Sequence, residues 1–308
     1  ITTTYAGESA GKYISASLLS ANTIENGGLT VMPNIKYKST MKKVATDDIL
    51  KDASCDFTAT SEITLTERVL EPKELQVNLQ LCKKDFRSDW DAISMGYSVY
   101  DNLPPSFADF LLAHVSSKVA QKNEQNIWGG VSSTSGEYDG LVTLITADAG
   151  SLPAGQQVTG TTVTSANVID ELGKIVDAVP SRMYGNEGLK IYAPQNVVRA
   201  YVRALGGFAS GIGANGLNNQ GTTWYNGNAN ALTFDGVQIF MANGLASDTC
   251  IATTTDNLFF GTGVMNDMNE VKLLDMGDLD GSQNVRVIMR MTAGVNYGLI
   301  EDIVTYGI

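Results

Sequence analysis

Residues 104 to 130 read Pro104-Pro105-Ser106-Phe107-Ala108-Asp109-Phe110-Leu111-Leu112-Ala113-His114-Val115-Ser116-Ser117-Lys118-Val119-Ala120-Gln121-Lys122-Asn123-Glu124-Gln125-Asn126-Ile127-Trp128-Gly129-Gly130. Two prolines open the stretch, where a missing N–H costs nothing, and Ser106 with Asp109 has the spacing of a capping pair. Phe107, Leu111, Val115 and Val119 form one i+4 ridge, flanked by Phe110, His114 and Ile127. Ser116, Lys118, Gln121, Lys122 and Gln125 fall on the other faces, and the paired glycines are a stop signal. The pattern predicts one helix over 104–130, a rod of roughly 36 Å. Strand-like sequence flanks it on both sides, so it is expected to act as a spine.

Toward the N-terminus, Tyr13, Ile14, Leu18 and Leu19 have helical spacing until Asn26-Gly27-Gly28 breaks it, which predicts an arm packed on something else. From Leu29 to Phe86 the period becomes two: Ile63, Leu65 and Val69, then Leu75, Val77, Leu79 and Leu81, alternate with polar residues. The piece between the early and later strands, Lys42 to Asp52, is charged on both sides and poor in core residues. A long two-stranded ribbon with a charged tip is marginal alone in water, and makes most sense if a neighbouring subunit receives it. An ordinary solvated hairpin is the plain alternative.

Toward the C-terminus, Tyr138–Thr146 reads as a strand, Ser165–Val179 as a helix stopped by Pro180, Leu189–Tyr192 as a strand, and Pro194–Leu205 as a helix. This succession predicts a compact α/β lobe. Strands are expected over Leu232–Met241 (with a glycine kink), Thr249–Phe260, Glu270–Leu274, Asn284–Thr292 and Gly294–Thr305. Between helix and strand lies Gly206–Asn230, with seven glycines and six asparagines. It contains Gly-x-Gly-x-x-Gly from Gly211 and Gly213 to Gly216, but after a helix and before Asn-Asn-Gln-Gly, the wrong setting for a dinucleotide site. A glycine-rich contact loop fits better. Trp224 and Tyr225 within it would stack on a sugar or a partner protein, or simply anchor the loop.

Composition removes several function classes. The chain has 308 residues, 43% of them hydrophobic, and a formal charge of −12. That is enough chain for a real core and the wrong charge for gripping nucleic acid through phosphates. The acidity is uneven: residues 1–131 carry 13 basic and 16 acidic side chains, residues 132–308 carry 8 and 17. No apolar run is long enough to span a membrane. Cys55, Cys82 and Cys250 lie far apart, as buried thiols of a reducing compartment do. With one histidine, His114, expected half-buried on the helix face, a catalytic triad or histidine metal site is disfavoured. Asp278-Leu279-Asp280-Gly281 has two acids of a calcium loop but neither its first acid nor its closing Glu, and Asp-Gly is a turn signal in its own right. No cofactor is implied.

The order of parts (arm, charged ribbon, spine helix, α/β lobe with a loop, and a return to strands) resembles the major capsid proteins of tailed bacteriophages, an α+β chain of the Hong Kong 97-type capsid fold. Leu65-Thr66-Glu67-Arg68-Val69-Leu70-Glu71-Pro72-Lys73-Glu74-Leu75, Leu81-Cys82-Lys83-Lys84-Asp85-Phe86, Asp275–Arg286 and Arg290–Gly298 look like coat proteins of phages infecting Bacteroidetes, including the crAss-like group.

The resemblance implies an N-terminal arm at 1–28 and an extended β-ribbon loop at 29–84. It implies a peripheral domain at 85–135 and 249–308 around the spine 104–130, and an axial domain at 136–248. It implies no catalysis, but homo-pentamers and hexamers tiling an icosahedral virion capsid around double-stranded DNA, assembled in the bacterial cytoplasm without membrane contact. Partners would be portal, scaffold or protease, and decoration proteins. A protease that removes an N-terminal segment, as in many members, would account for a chain beginning at Ile1. Contact between subunits is expected at Lys42, Lys43, Asp47, Asp48, Lys51 and Asp52, with Lys42 and Lys43 at the ribbon tip, and at Tyr13 and Leu18 of the arm. Gly211, Gly213, Trp224 and Tyr225 would lie near the capsomer axis or outer surface. Two other readings stand beside this one. The first is an encapsulin-like shell around protein cargo. The second is a carbohydrate-binding or hydrolytic protein using Trp224, Tyr225 and carboxylates such as Asp235.

Overall fold

The computed structural model describes residues 3–6, 22–35, 37–46, 50, 52, 63–82, 105–205, 232–263 and 270–308. In chain order these form β1 (Thr3–Ala6), α1 (Asn22–Glu25), β2 (Thr30–Met32), β3 (Ser39–Thr46), β4 (Ile63–Leu70) and β5 (Lys73–Cys82). Then come α2 (Pro105–Gly129), α3 (Leu141–Ala147), β6 (Gln157–Val158), α4 (Val168–Asp177), β7 (Leu189–Ala193) and α5 (Gln195–Leu205). The chain closes with β8 (Thr233–Phe234), β9 (Val237–Met241), β10 (Cys250–Thr254), β11 (Leu258–Thr262), β12 (Glu270–Asp275), α6 (Gly277–Asp280), β13 (Asn284–Tyr297) and β14 (Val304–Tyr306).

The expected spine is α2, 25 residues long and so about 37 Å. Leu111, Leu112, Val115, Ile127 and Trp128 are buried along it, but its packed arc is wider than a single ridge. Ser116, placed by periodicity on an outer face, is buried, while His114, expected half-buried, is exposed. The small side chains of Ser116 and Ala120 let the body close over a second row. The two glycines do end the helix, though not through a left-handed cap. A Cβ on Gly130 would lie 2.3 Å from the Tyr138 carbonyl oxygen, because the chain returns against this point and Gly140 N–H donates to Gly130 O at 2.9 Å.

Two six-stranded sheets flank this spine. In the first, the 14-residue β13 is central. β5 pairs antiparallel along one edge, with Val285 opposite Leu81 and Met291 opposite Leu75. On the other edge β12 pairs with the first half of β13 and β11 with the second, and β1 and β2 extend them. The second sheet has the order β6-β14-β10-β7-β9-β8, and buried side chains of α4 and α5 share its core. The chain passes between the sheets after β5, by way of α2 and α3, and again by short crossings after β10 and after β13. Asn257 binds the two short crossings together: its Nδ2 donates to Thr253 Oγ1 and Leu299 O, and its Oδ1 accepts from Leu299 N–H at 2.6 Å. β3 and β4 stand apart as a two-stranded ribbon, Lys42 opposite Glu67.

Several expected elements need correction. Tyr138–Thr146 is not a strand: Leu141 and Ile145 are buried one helical turn apart, and 141–147 is α3. Leu232–Met241 is a hairpin, because Asp235 (φ 47°) and Gly236 (φ 79°) both turn left-handed between β8 and β9. Thr249–Phe260 is broken at the sheet crossing, and the two expected final strands are largely one long β13. Asp278 to Gly281 is the end of a short helix followed by a left-handed glycine.

Candidate assembly site

The ribbon carries the expected contact residues that can be placed. Lys42 and Lys43 lie in the middle of β3, opposite Glu67 and Thr66, and so on the shaft of the ribbon, not at its tip. Lys42 Nζ is 3.4 Å from Glu67 Oε1, both side chains more than half exposed. Such a pair adds little to stability in water and leaves both charges available. Asp52 is exposed, as is Leu50, a large apolar residue with 94% of its surface bare. Asp47, Asp48, Lys51, Tyr13, Leu18, Gly211, Gly213, Trp224 and Tyr225 lie outside the described residues.

Where the ribbon meets the body, polar groups from distant sequence converge. Arg68 Nε donates to Asn296 Oδ1 at 2.8 Å and Nη2 to Asp148 Oδ2 at 2.5 Å. Its guanidinium sits 3.6 Å from the centre of the Tyr297 ring. Tyr297 Oη donates to the same Asp148 oxygen at 2.6 Å, and Asn296 Nδ2 donates to Val69 O at 2.8 Å. The Tyr297 bond, helped by Arg68, holds the Asp148 carboxyl below its ordinary value. Burial and the hydrogen bond to Asp148 push the Tyr297 phenol well up.

Beside this junction is an open groove of about 670 Å³. Met41, Lys42, Glu67 and Arg68 form its ribbon wall, and Asp256, Phe259, Leu299 and Asp302 are among the residues of its body wall. Asp302 accepts from Arg182 at 2.6 and 2.9 Å.

A second anchorage fixes residues 22–28, the last part of the expected arm. Glu124, buried on α2, accepts from Thr23 N–H at 2.9 Å and from Thr23 Oγ1 at 2.5 Å. Trp128 Nε1 donates to the same Thr23 hydroxyl at 2.9 Å. Asn22 Nδ2 reaches Met241 O, Lys190 Nζ reaches Gly27 O, and Tyr192 Oη donates to Gly28 O. The rings of Trp128, Tyr192 and Phe240 follow one another at 5.2 and 5.3 Å, tying the spine to β7 and β9. Periodicity gave no sign of this site, because the partners lie about a hundred positions apart. The one available signal was Asn123 and Glu124 in the same helical row as Ala120 and Ile127.

Among the described residues no three His, Cys, Asp or Glu side chains come together in a way that could hold a metal ion. No helix there is long and apolar enough to cross a membrane. Asp235 forms the tight turn between β8 and β9, and its carbonyl accepts from Tyr184 Oη. Cys250 is fully buried, and burial pushes its thiol up to about 12, far from a reactive thiolate.

No protein-family model matches the sequence, and no curated protein matches it. Solved structures do match over nearly the whole chain. A chain of the satellite phage P4 procapsid that includes the size determination protein is 12% identical, covered over 96% of this chain and 97% of that one, with a TM-score of 0.55. A Mycobacterium phage Adephagia chain is 14% identical over 94% and 89%, with a TM-score of 0.58. A chain from the capsid of an empty GTA particle is 10% identical over 93% and 89%, with a TM-score of 0.56. The chain has the Hong Kong 97-type capsid fold.

Proposed function

We propose that this chain is a major capsid protein, a structural subunit that assembles into an icosahedral shell around phage double-stranded DNA. The observation that carries this reading is the match from end to end with capsid chains, including 97% of the procapsid chain's own length. Convergence over a fragment would leave the ribbon or the second sheet unmatched. The reading also gives the exposed ribbon a purpose. A bare, charged two-stranded ribbon buries little of its own surface and gains most by lying on another copy.

In this proposal residues 1–28 are the arm, 29–84 the extended loop, 85–135 with 249–308 the peripheral domain, and 136–248 the axial domain. Subunits meet as pentamers and hexamers, with contacts at Lys42, Lys43, Asp47, Asp48, Lys51, Asp52, Tyr13 and Leu18, and with Gly211, Gly213, Trp224 and Tyr225 at the capsomer axis or outer surface. Identical interfaces repeat by symmetry, so a modest contact per subunit suffices. Portal, scaffold or protease, and decoration proteins complete the particle, which forms in the bacterial cytoplasm. The sequence likeness to coat proteins of Bacteroidetes phages, the crAss-like group included, supports such a host. The net charge of −12 suits a wall that confines packaged DNA without gripping it.

The double variant Lys42→Glu with Lys43→Glu tests the ribbon's part in assembly. Shells are expected to fail while each subunit keeps the circular dichroism and melting profile of the parent. Normal shells from the variant would remove these two residues from the interface. The contents decide between phage capsid and cargo compartment: purified particles are expected to hold nuclease-protected double-stranded DNA, and a protein cargo without DNA would contradict the reading.

A further inference from the structure

The ribbon has few ties to fix its direction. Among the described residues β3 and β4 pair only with each other, and no ladder carries them into either sheet. Apolar contact at the root is a plug: Leu70, 1% exposed, and Ile35 cover Gly261, where a Cβ would lie 2.7 Å from Leu70 Cδ2 and 2.9 Å from Ile35 Cδ1. Such a joint resists separation, but apolar attraction has no direction and does little to resist rotation.

The backbone at the root is tied to the body by Ile35 N–H donating to Thr262 O at 3.2 Å and by Pro72 lying against Gly294, and on the ribbon itself the polar groups beside the plug add direction. The guanidinium of Arg68 is a rigid plane held on three sides: by Asn296 through Nε, by Asp148 through Nη2, and by the Tyr297 ring against its face. Asp148 follows α3, whereas Asn296 and Tyr297 end β13, so the attachments reach two separate elements of the body. Asn296 closes the circuit by binding the next ribbon residue through Val69 O, and Tyr297 Oη holds the Asp148 carboxylate in place. A planar fork bound in this way defines an orientation as well as a distance, which a lysine ammonium cannot do. The Arg68 and Asp148 side chains are 27% and 43% exposed, so their ion pair is within reach of water, whereas the Tyr297 ring beneath the guanidinium is buried. The groove beside it, walled on one side by the ribbon, would widen or close as the ribbon swung.

We propose that Arg68 is a positioning residue that, through Asp148, Asn296 and Tyr297, sets the angle at which the ribbon leaves the body. Its consequence for assembly rests on the capsid reading: a ribbon at a fixed angle meets a neighbouring copy at a fixed place, and so sets the curvature of the shell. The clamp itself is a property of the single subunit.

The test measures the angle in unassembled full-length protein. Spin labels are placed at Thr40→Cys on the ribbon and Glu187→Cys on the lobe, both exposed positions, with Cys55 and Cys82 changed to Ser and the buried Cys250 left in place. The parent is expected to give one narrow distance. Arg68→Met is expected to give a broad, shifted distribution at nearly unchanged melting temperature, and Arg68→Lys an intermediate one. A merely structural role would lower the melting temperature and leave the distance alone. Should Arg68→Met fail to fold, Asp148→Ala, on the more exposed side of the pair, carries the same comparison. An equally narrow distance in parent and variants, or a broad one already in the parent, overturns the proposal. Electron microscopy of the same variants reads the consequence, with shells of mixed diameter expected from Arg68→Met. Uniform shells from a variant with a broad distance would sever the angle from curvature. A parent that forms no shell would count against the capsid reading alone, since the distances are measured without assembly.

Discussion

The ribbon of β3 and β4 and the lobe around β7, β9 and β10 are both built of paired strands, yet they are stabilised in opposite ways. In the lobe, Ile191, Ile239, Cys250 and Ala252 are buried under α4 and α5, and Tyr306 Oη donates to Glu171 Oε2 at 2.8 Å inside the same core. The ribbon leaves Lys42 and Glu67 mostly exposed and Val69 43% exposed, and among its described side chains the buried one is Leu70, at the root. A strand pair with both faces in water is weak by itself. The described strands of the lobe are buried within one chain, whereas in the proposed assembly the ribbon is completed by a neighbouring copy.

The strongest way to break this contrast is at the joint between the two cores. Trp128→Ala removes a fully buried indole that touches Tyr192 and hydrogen-bonds Thr23, and is expected to cost about 3–5 kcal/mol in chemical denaturation. A single unfolding transition in the parent that splits into two in the variant would show that Trp128 couples the sheets. Glu124→Gln comes next, at about 1–3 kcal/mol, since one amide oxygen cannot replace two carboxylate acceptors for Thr23. Limited proteolysis is expected to cut just before residue 22 earlier than in the parent.

The lobe answers to acid through Glu171. Its hydrogen bond from Lys174, with help from Tyr306 and against the opposing effect of burial, holds its pKa below the ordinary 4.5. A lowered carboxylate contributes stability that is present above pH 4.5 and lost as the pH falls through the folded value. Tyr306→Phe is expected to cost about 1 kcal/mol at neutral pH. It should also flatten the acid limb of the melting-temperature profile; an unchanged acid limb would assign the acid sensitivity elsewhere. The smallest effect on the isolated subunit belongs to the ribbon. Lys42→Glu with Lys43→Glu is expected to stay within about 0.5 kcal/mol of the parent, although assembly should suffer most from it.

Much of this architecture was legible as pattern. The i+4 ridge of Leu111, Val115 and Val119 announced the spine, and the period-two run from Leu75 to Leu81 announced β5. The order of parts carried the fold. Pattern failed where local and tertiary preferences compete. Leu141-Val142-Thr143-Leu144-Ile145 is rich in strand formers, and only the burial of Leu141 and Ile145 one helical turn apart reveals α3. Ser116 and His114 exchanged expected environments because the body packs on two rows of α2. The turn at Asp235 and Gly236 carries an Asp-Gly signal, but the apolar run on either side of it favours one kinked strand. The anchors were nearly silent in sequence, the place of Glu124 in the helical row of Ala120 and Ile127 being the one hint. Glu124 meets Thr23 across 101 positions, and Arg68 meets Asp148 across 80. A buried carboxylate or a stacked arginine has no periodicity to betray it, since its meaning depends on a partner that only the fold supplies.

The central claim is that this chain completes itself against copies of itself. Electron microscopy of the purified full-length protein, with light-scattering mass measured over a concentration series, tests it most directly. Closed shells, or rings of five and six subunits, are the result expected. A monomer of 32.8 kDa at every concentration would contradict the account.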